Sequence, residues 1–323
     1  GEVMLRLSPP ANQRFIQAKS LDLEFGGSEA NVGATLALWG QDVVHVTAFP
    51  EHELGWFASA SLRRIGIDTR YIQFSPGRLG VYFLENAAAH RSSQIIYDRA
   101  DSAFANLNPD VLDWDEILGD AAWLHWSGIT PALSANCAEI TRKALRKANE
   151  KGVRVSGDLN YRSNLWKYGK GPDQIMPELM DLTQVMIAGV RDFNQCLNQS
   201  FENFDSVRDF AFTNFPKLTH LVKTDRESIN TSHNRMSAGI YTSTDQYFSK
   251  NYDLNPIVDR VGTGDAFAGG LIYGLFHSTE QEAVELGMAA CALKHSVPGD
   301  LLLSSLEEVQ ELAQGNSIGK IKR

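Results

Sequence analysis

The stretch DRVGTGDAF, residues 259–267, carries the strongest local pattern in the chain. Two glycines bracket one small residue, and an acidic residue then opens an apolar helical pattern. Because no large side chain obstructs them, the backbone N–H groups of Gly262, Thr263 and Gly264 can point at one anion, and the helix dipole adds partial positive charge there. We therefore predict an anion hole for a phosphate undergoing transfer, with Asp265 beside it to accept a hydroxyl proton.

Two better-known phosphate-binding patterns do not describe this turn. The Walker A pattern, G-x-x-x-x-G-K-[ST], does not occur in the sequence, and Phe267 stands where the dinucleotide fingerprint has its third glycine. A purely structural role stays open, because glycine-rich turns often precede helices and the helix dipole alone favours an acidic residue in the first turn.

Strand and helix patterns alternate along much of the chain, most clearly from about residue 120. Apolar runs predict strands at residues 43–48, 121–126, 153–158, 185–188 and 220–223. Helical periodicity and end signals predict helices at residues 28–39, 56–65, 135–150, 265–276, 280–295 and 305–313. Such alternation is typical of a mostly parallel sheet flanked by helices, so we predict a Rossmann-like α/β fold.

Extended segments in the first third of the chain interrupt this alternation. The stretches GVYFLE at 80–85 and QIIYD at 94–98 predict a hairpin with a long polar tip. We expect a small β-sheet lid built from about residues 3–25 and 71–100, inserted into a single domain that spans residues 1–323.

Two further patterns mark the ends of predicted strands. In the pair Gly26-Gly27, Gly27 lets a ligand approach the backbone, and Asn31 offers a donor and an acceptor to sugar hydroxyls. A tight strand-to-helix turn, with Asn31 in a capping role, also explains these residues, and the motif alone favours that explanation. The stretch DLNYR at 158–162 follows a predicted buried strand, and ligands of open parallel sheets bind beyond the carboxyl ends of the strands.

Composition and net charge limit the binding partners and the cellular compartment that we expect for this protein. The formal net charge of -9 and the pI of about 5.4 disfavour a nucleic-acid binder. No apolar run approaches the roughly 18 residues that a membrane helix needs. The three cysteines are far apart, which indicates a reducing, cytoplasmic setting rather than a disulfide framework. Because the sequence opens directly on a strand-like stretch at Gly1, we expect that a segment precedes it.

Taken together, GGSEAN at 26–31 and DRVGTGDAF resemble the two motifs of the ribokinase/phosphofructokinase-B family of carbohydrate kinases, over essentially the whole chain. Within the family the chain is most similar to the 2-keto-3-deoxygluconate kinases. The segments that carry this likeness are GEVMLRLSPP, LHWSGITPALS, DLNYRSNLW and SVPGD. The resemblance implies a ribokinase-like fold, ATP and Mg²⁺, transfer of a phosphoryl group to the 6-hydroxyl of 2-keto-3-deoxygluconate, and a homo-oligomer paired through its lids.

The site residues of the family carry over position by position. Asp265 matches the catalytic base. For the sugar acid the resemblance implies Gly27, Tyr82, Tyr97, Arg99, Ile129, Arg162 and Asp300. Arg99 and Arg162 can neutralise the carboxylate of the substrate, which a planar guanidinium suits well. On the nucleotide side we assign Asn160, Asp192, Lys223, Thr224 and Arg226.

Two stretches depart from the family pattern, both on the ATP side. The family motif Asn-x-x-Glu, which helps to organise Mg²⁺ and phosphate, corresponds here to Gly189 and Asp192, so Asp192 is an indirect metal candidate. Residues 223–228 (KTDRES) stand where the family has a glycine-containing nucleotide loop. Two alternatives therefore stay open: a kinase of the same fold for another sugar, such as fructose, ribose or an inositol-derived keto acid, and a sugar-acid-binding homologue with weak catalysis.

Overall fold

The computed structural model describes residues 1–88 and 90–315 of the chain. The strands are β1 (Met4–Ser8), β2 (Asp22–Gly26), β3 (Ala48–Phe49), β4 (Gln73–Phe74), β5 (Val81–Glu85), β6 (Gln94–Asp98), β7 (Trp123–Ser127), β8 (Arg154–Asp158), β9 (Val185–Ile187), β10 (His220–Asn230), β11 (His233–Tyr241), β12 (Gln246–Phe248) and β13 (Tyr252–Leu254). The α-helices are α1 (Ser28–Leu38), α2 (Glu53–Arg64), α3 (Trp114–Ile117), α4 (Ala135–Lys151), α5 (Pro172–Asp181), α6 (Val190–Leu197), α7 (Phe204–Asn214), α8 (Thr263–His277), α9 (Glu280–Lys294) and α10 (Leu306–Ala313).

The body of the protein is a mixed sheet in the order β12-β11-β10-β9-β8-β7. Strands β7 to β10 run parallel, and β11 returns antiparallel beside β10. Because successive side chains of a strand point to opposite faces, the strands supply both halves of the core. Met186 and Leu221 pack on the side of α4 and α5, whereas Val185 and Val222 pack on the side of α8 and α9. The sheet with helices on both faces confirms the predicted α/β class.

Helix α4 illustrates how local sequence sets these elements. The Ser134 side chain accepts a hydrogen bond from the Cys137 backbone N–H, and the helix ends at Gly152, whose φ of 72° is left-handed. The inward face is buried, with Leu145 and Ala148 fully covered. Within the described residues, no helix is both long and apolar enough to cross a membrane.

A second, smaller sheet has the strand order β2-β1-β5-β6. Its two halves come from separate parts of the chain, and β1 joins them by pairing antiparallel with β2 and parallel with β5. The separate β-sheet expected from the sequence is therefore present. We call this sheet the lid.

The predicted strand at residues 43–48 is mostly wrong. In this region β3 pairs with β4 over two residues, and Val44 makes an isolated bridge with Asp68. The apolar run is extended but lacks a continuous partner strand. Val44 is 42% exposed, whereas His45, Thr47 and Ala48 are buried, so the run is buried over only part of its length.

Residues 223–228 are also not the loop that the family resemblance implied. They belong to β10, which pairs antiparallel with β11, with Ser228 opposite Asn234 and, after a register shift, Asn230 opposite His233. Residues 225–230 are exposed, so the strand carries no apolar alternation there. A two-stranded ribbon of this kind forms because the partner strand supplies hydrogen bonds to the backbone N–H and C=O groups. The polar sequence of the strand alone does not reveal that partner.

Candidate active site

A cleft of about 600 Å³ lies between the lid and the body. Its walls include the start of α1, the end of β8, the start of α8 and the inner face of the lid. Helix N-termini and strand carboxyl ends thus meet at one place, which is where open α/β sheets bind anionic ligands.

The turn before α8 forms one wall of this cleft. Gly262 is the N-cap residue, with a left-handed φ of 76°, and a β-carbon built on it would lie 1.8 Å from the Asp300 backbone oxygen. Only glycine fits such a position without strain. A β-carbon built on Gly264 meets nothing within 4 Å, so the space beside its backbone is open. The turn therefore has the shape of an anion hole at a helix N-terminus.

Asp265 lies in the first turn of α8, and two side chains of α1 hold its carboxylate. Ser28 Oγ donates a hydrogen bond to Oδ1 at 2.9 Å, and Asn31 Nδ2 donates one to Oδ2 at 2.7 Å. Burial raises the pKa of Asp265 to about 6, although these two hydrogen bonds act in the opposite direction. The carboxylate is ionised at neutral pH and is more basic than an exposed aspartate, which suits a general base.

Asp158 is a site residue that the sequence reasoning did not select. It is the last residue of β8 and lines the cleft, and its Oδ1 accepts a hydrogen bond from the Asn160 N–H at 3.1 Å. The pKa of Asp158 is raised to about 8. Burial is the largest cause, and the negative charges of Asp192 and Asp265 nearby act in the same direction. Asp158 is thus mostly protonated at neutral pH. Its place at the start of the DLNYR stretch was the signal that could have identified it.

Most residues predicted for the sugar acid lie in the cleft. Those that line it are Gly27, Asn31, Tyr82, Tyr97, Ile129, Arg162 and Asp300. Tyr82 and Tyr97 are neighbours on β5 and β6, with ring centroids 6.0 Å apart. The Tyr82 hydroxyl lies 2.7 and 2.6 Å from the two carboxylate oxygens of Asp300 and donates to that group. One face of the cleft is therefore aromatic and carries oriented polar groups.

The two arginines predicted for the carboxylate have different surroundings. Arg162 is exposed and lines the cleft. Arg99 does not line it, and its Nε donates to the carboxylate of Glu2 at 2.8 Å. The Glu2 side chain is buried, so Arg99 already neutralises a charge of the protein itself. Of these two arginines, Arg162 is therefore the one that lines the cleft.

The predicted nucleotide residues also separate into two groups. Arg226 and Asn160 line the cleft beside the turn at 262–264. Lys223 and Thr224 do not, because they lie farther back on β10. Lys223 pairs there with Asp225 at 3.1 Å.

Asp192 also lies outside the cleft lining. Its carboxylate accepts hydrogen bonds from the backbone N–H groups of Gly189 at 2.8 Å and Tyr161 at 3.1 Å. It therefore fixes the loop that carries Asn160 and Arg162. Within the described part of the chain, no group of three or more His, Cys, Asp or Glu side chains is arranged to hold a metal ion.

Comparisons with known proteins identify the family of the chain. Residues 1–305 match the pfkB family carbohydrate kinases. The chain is 32% identical over 320 residues to a 2-dehydro-3-deoxygalactonokinase of Haloferax volcanii, covering 99% of this chain and 96% of that protein. The crystal structure of a 2-dehydro-3-deoxygluconokinase from Thermotoga maritima superposes with a TM-score of 0.92 at 41% identity, over 98% of each chain.

A more distant structure shows the breadth of the fold. Fructokinase from Xylella fastidiosa, crystallised with ATP, has a TM-score of 0.78 at 22% identity, over 98% of this chain and 97% of that one. At this identity the likeness concerns the fold alone. The match over residues 1–305 and the Haloferax relative show that the chain belongs to the pfkB family and is a carbohydrate kinase.

Proposed function

We propose that this enzyme transfers the γ-phosphoryl group of ATP to the 6-hydroxyl of 2-keto-3-deoxygluconate or a close keto-deoxy sugar acid. The observation that carries the proposal is the placement of Asp265 and Arg162 in one cleft with the turn at 262–264. A base and an anion hole serve any sugar kinase, whereas an exposed guanidinium on the sugar side favours an acid. The names of the relatives from Haloferax and Thermotoga support the same substrate class.

The sugar acid is held mainly by the lid and by the end of β8. Arg162 pairs with its carboxylate, and Tyr82 and Tyr97 supply flat walls with hydroxyl groups. Asn31, Gly27 and Asp300 offer polar atoms to the sugar hydroxyls, and Ile129 adds an apolar contact. Closing the lid over the sugar excludes water, which limits wasteful hydrolysis of ATP.

In the chemical step Asp265 removes the proton of the 6-hydroxyl as its oxygen attacks the γ-phosphorus. The new O–P bond forms while the bond between the γ-phosphorus and the bridging oxygen breaks, and ADP leaves. The backbone N–H groups of Gly262, Thr263 and Gly264 stabilise the negative charge that redistributes over the phosphoryl oxygens. Arg226 and Asn160 contact the phosphates or ribose. If Mg²⁺ is bound, it would supply charge neutralisation for the phosphates, and Asp192 would act on it only indirectly, by fixing the Asn160 loop.

The test is ADP release with Mg·ATP and a panel of 2-keto-3-deoxygluconate, its galactonate epimer, fructose, ribose and no sugar. We expect turnover with the keto-deoxy acids and little with the neutral sugars. Turnover with a neutral sugar alone would be consistent with Asp265 as the base but would contradict the proposed sugar-acid pocket. A folded protein that is silent across the panel but binds the sugar acid by calorimetry would be a sugar-acid-binding homologue.

We further propose that the protein forms a homo-oligomer through the outer face of the lid. The strand register places Leu23, Leu7, Phe83 and Ile96 in one row across the sheet. Leu23 and Ile96 at the two ends are 52% and 57% exposed. An apolar row on an open sheet fits a second copy of the same row. Light scattering should give a multiple of the 35.8 kDa chain mass, and Ile96→Lys should lower it; a monomeric parent protein would contradict the proposal.

A further inference from the structure

Arg6 lies on β1, inside the lid, and is almost completely buried. Its side chain is 2% exposed. Nη1 donates to Asp300 Oδ1 at 2.8 Å, and Nη2 donates to Asp259 Oδ2 at 2.6 Å. Nε donates to the Ser8 hydroxyl at 2.9 Å. A planar guanidinium can hold two carboxylates at fixed angles, which a lysine ammonium cannot do.

Both acidic residues also contact the turn at 262–264 or the residue directly before it. Asp259 Oδ1 accepts the backbone N–H of Val261 at 3.0 Å, directly before the turn. The backbone oxygen of Asp300 packs against Gly262, at the position where a side chain would begin. Arg6 is therefore connected to the turn in two ways. One connection runs through Asp259, in the segment before the turn, and the other through Asp300, in the segment packed against the turn.

A buried ion pair is weak evidence for stabilisation by itself, because desolvation offsets much of the attraction. The location of this ion pair indicates its role better than its strength does. It connects a lid strand to residues 253 and 294 positions away, and these residues flank the catalytic turn. Tyr82, on the neighbouring lid strand, bonds the same Asp300 carboxylate. The lid and the anion hole thus share one set of polar contacts.

We propose that Arg6 is a positioning residue for phosphoryl transfer: through Asp259 and Asp300 it fixes the turn at 262–264 relative to the lid. The N–H groups of the turn then face the cleft in the same arrangement in which the lid covers the sugar. This inference rests on the proposed phosphoryl transfer, and it assigns a role to a residue that contacts neither the sugar nor the nucleotide.

The test is Arg6→Lys, which keeps the charge but loses the two-carboxylate geometry. We expect amide hydrogen exchange in residues 260–265 to rise roughly tenfold while exchange in α4 is unchanged. We expect kcat to fall about tenfold or more, with KM for the sugar acid within about threefold of the parent value. Arg78→Lys is the control, because Arg78 pairs with Asp98 of the edge strand β6 and with neither Asp259 nor Asp300.

The double variant Arg6→Met with Asp259→Asn covers the case in which Arg6→Lys does not fold, since it removes one positive and one negative buried charge together and keeps the net charge of the cluster unchanged. It should raise exchange in the turn in the same way. Unchanged exchange at 260–265, or a kcat within about twofold of the parent value, would overturn the proposal. If the parent protein transfers no phosphate to sugar acids, the substrate proposal fails, while the exchange measurement still decides the role of Arg6.

Discussion

Asn31 Nδ2 and Asp265 Oδ2 are 2.7 Å apart, and this hydrogen bond joins the first turn of α1 to the first turn of α8. The two glycine motifs that stand out in the sequence are therefore parts of one site. Together with the bond from Ser28, it orients a carboxylate that lines the cleft. A base held in this way needs little reorganisation when a hydroxyl approaches.

Replacing Asp265 by asparagine should lower kcat by roughly 10²–10⁴, the usual contribution of a positioned base. The fold and the binding of the sugar acid should be retained, because asparagine has nearly the same shape. ADP release measures the first effect, and calorimetry with the sugar acid measures the second. An unchanged kcat would remove Asp265 from the mechanism.

The pH dependence of kcat should follow the titration of the Asp265 carboxylate. Because the pKa of Asp265 is raised to about 6, kcat should fall as the pH drops through 6 and the base becomes protonated. Asn31→Ala removes a hydrogen bond to the ionised form, so the midpoint should move to higher pH. Rate profiles from pH 5 to 8 for the parent and the variant test this. A midpoint that stays in place would mean that another group controls the rate.

Arg162→Ala should weaken binding of the sugar acid far more than binding of a neutral sugar. Loss of a charge-assisted hydrogen bond costs about 1.5–3 kcal/mol, which corresponds to a rise in KM of roughly 10- to 150-fold. Parallel measurements with the keto-deoxy acid and with any neutral sugar accepted at high concentration give the comparison. Equal effects on both substrates would argue against a carboxylate partner.

Arg99→Ala should act mainly on stability. It removes the cation beside the buried Glu2 carboxylate, which should lower the free energy of unfolding by an amount on the order of 3 kcal/mol. Urea denaturation measures this, and adding Glu2→Gln should restore part of the loss. If unfolding is unchanged and KM for the acid rises strongly, Arg99 belongs to the carboxylate site after all.

The two glycines of the turn should respond differently to alanine. Gly262→Ala introduces a β-carbon into a left-handed conformation and against the Asp300 backbone, so the protein should lose more than about 1–2 kcal/mol of stability. Gly264→Ala meets open space in the protein and should fold normally, but its methyl group would enter the anion hole and lower kcat/KM for ATP. Similar melting temperatures for both variants would contradict this account of the turn.

The sequence by itself determined the features that depend on short stretches of chain. The turn at 262–264, its helix and the strand–helix alternation follow from local backbone preferences and apolar periodicity, so they could be predicted. The resemblance to a known family extended this to most of the cleft, including Tyr82, Arg162 and Asp300. The same local rules failed for residues 223–228, where a partner strand rather than an apolar pattern stabilises β10.

Only the tertiary structure decided which charged groups are available to a ligand. Arg99 is neutralised by Glu2, Asp192 fixes a loop, Asp158 is protonated by burial, and Arg6 connects the lid to the turn. Each outcome depends on a partner or a degree of burial set by the folded chain. The energy of a charge is governed by its nearest counter-charge and by its access to water, and the residue pattern of a single segment records neither.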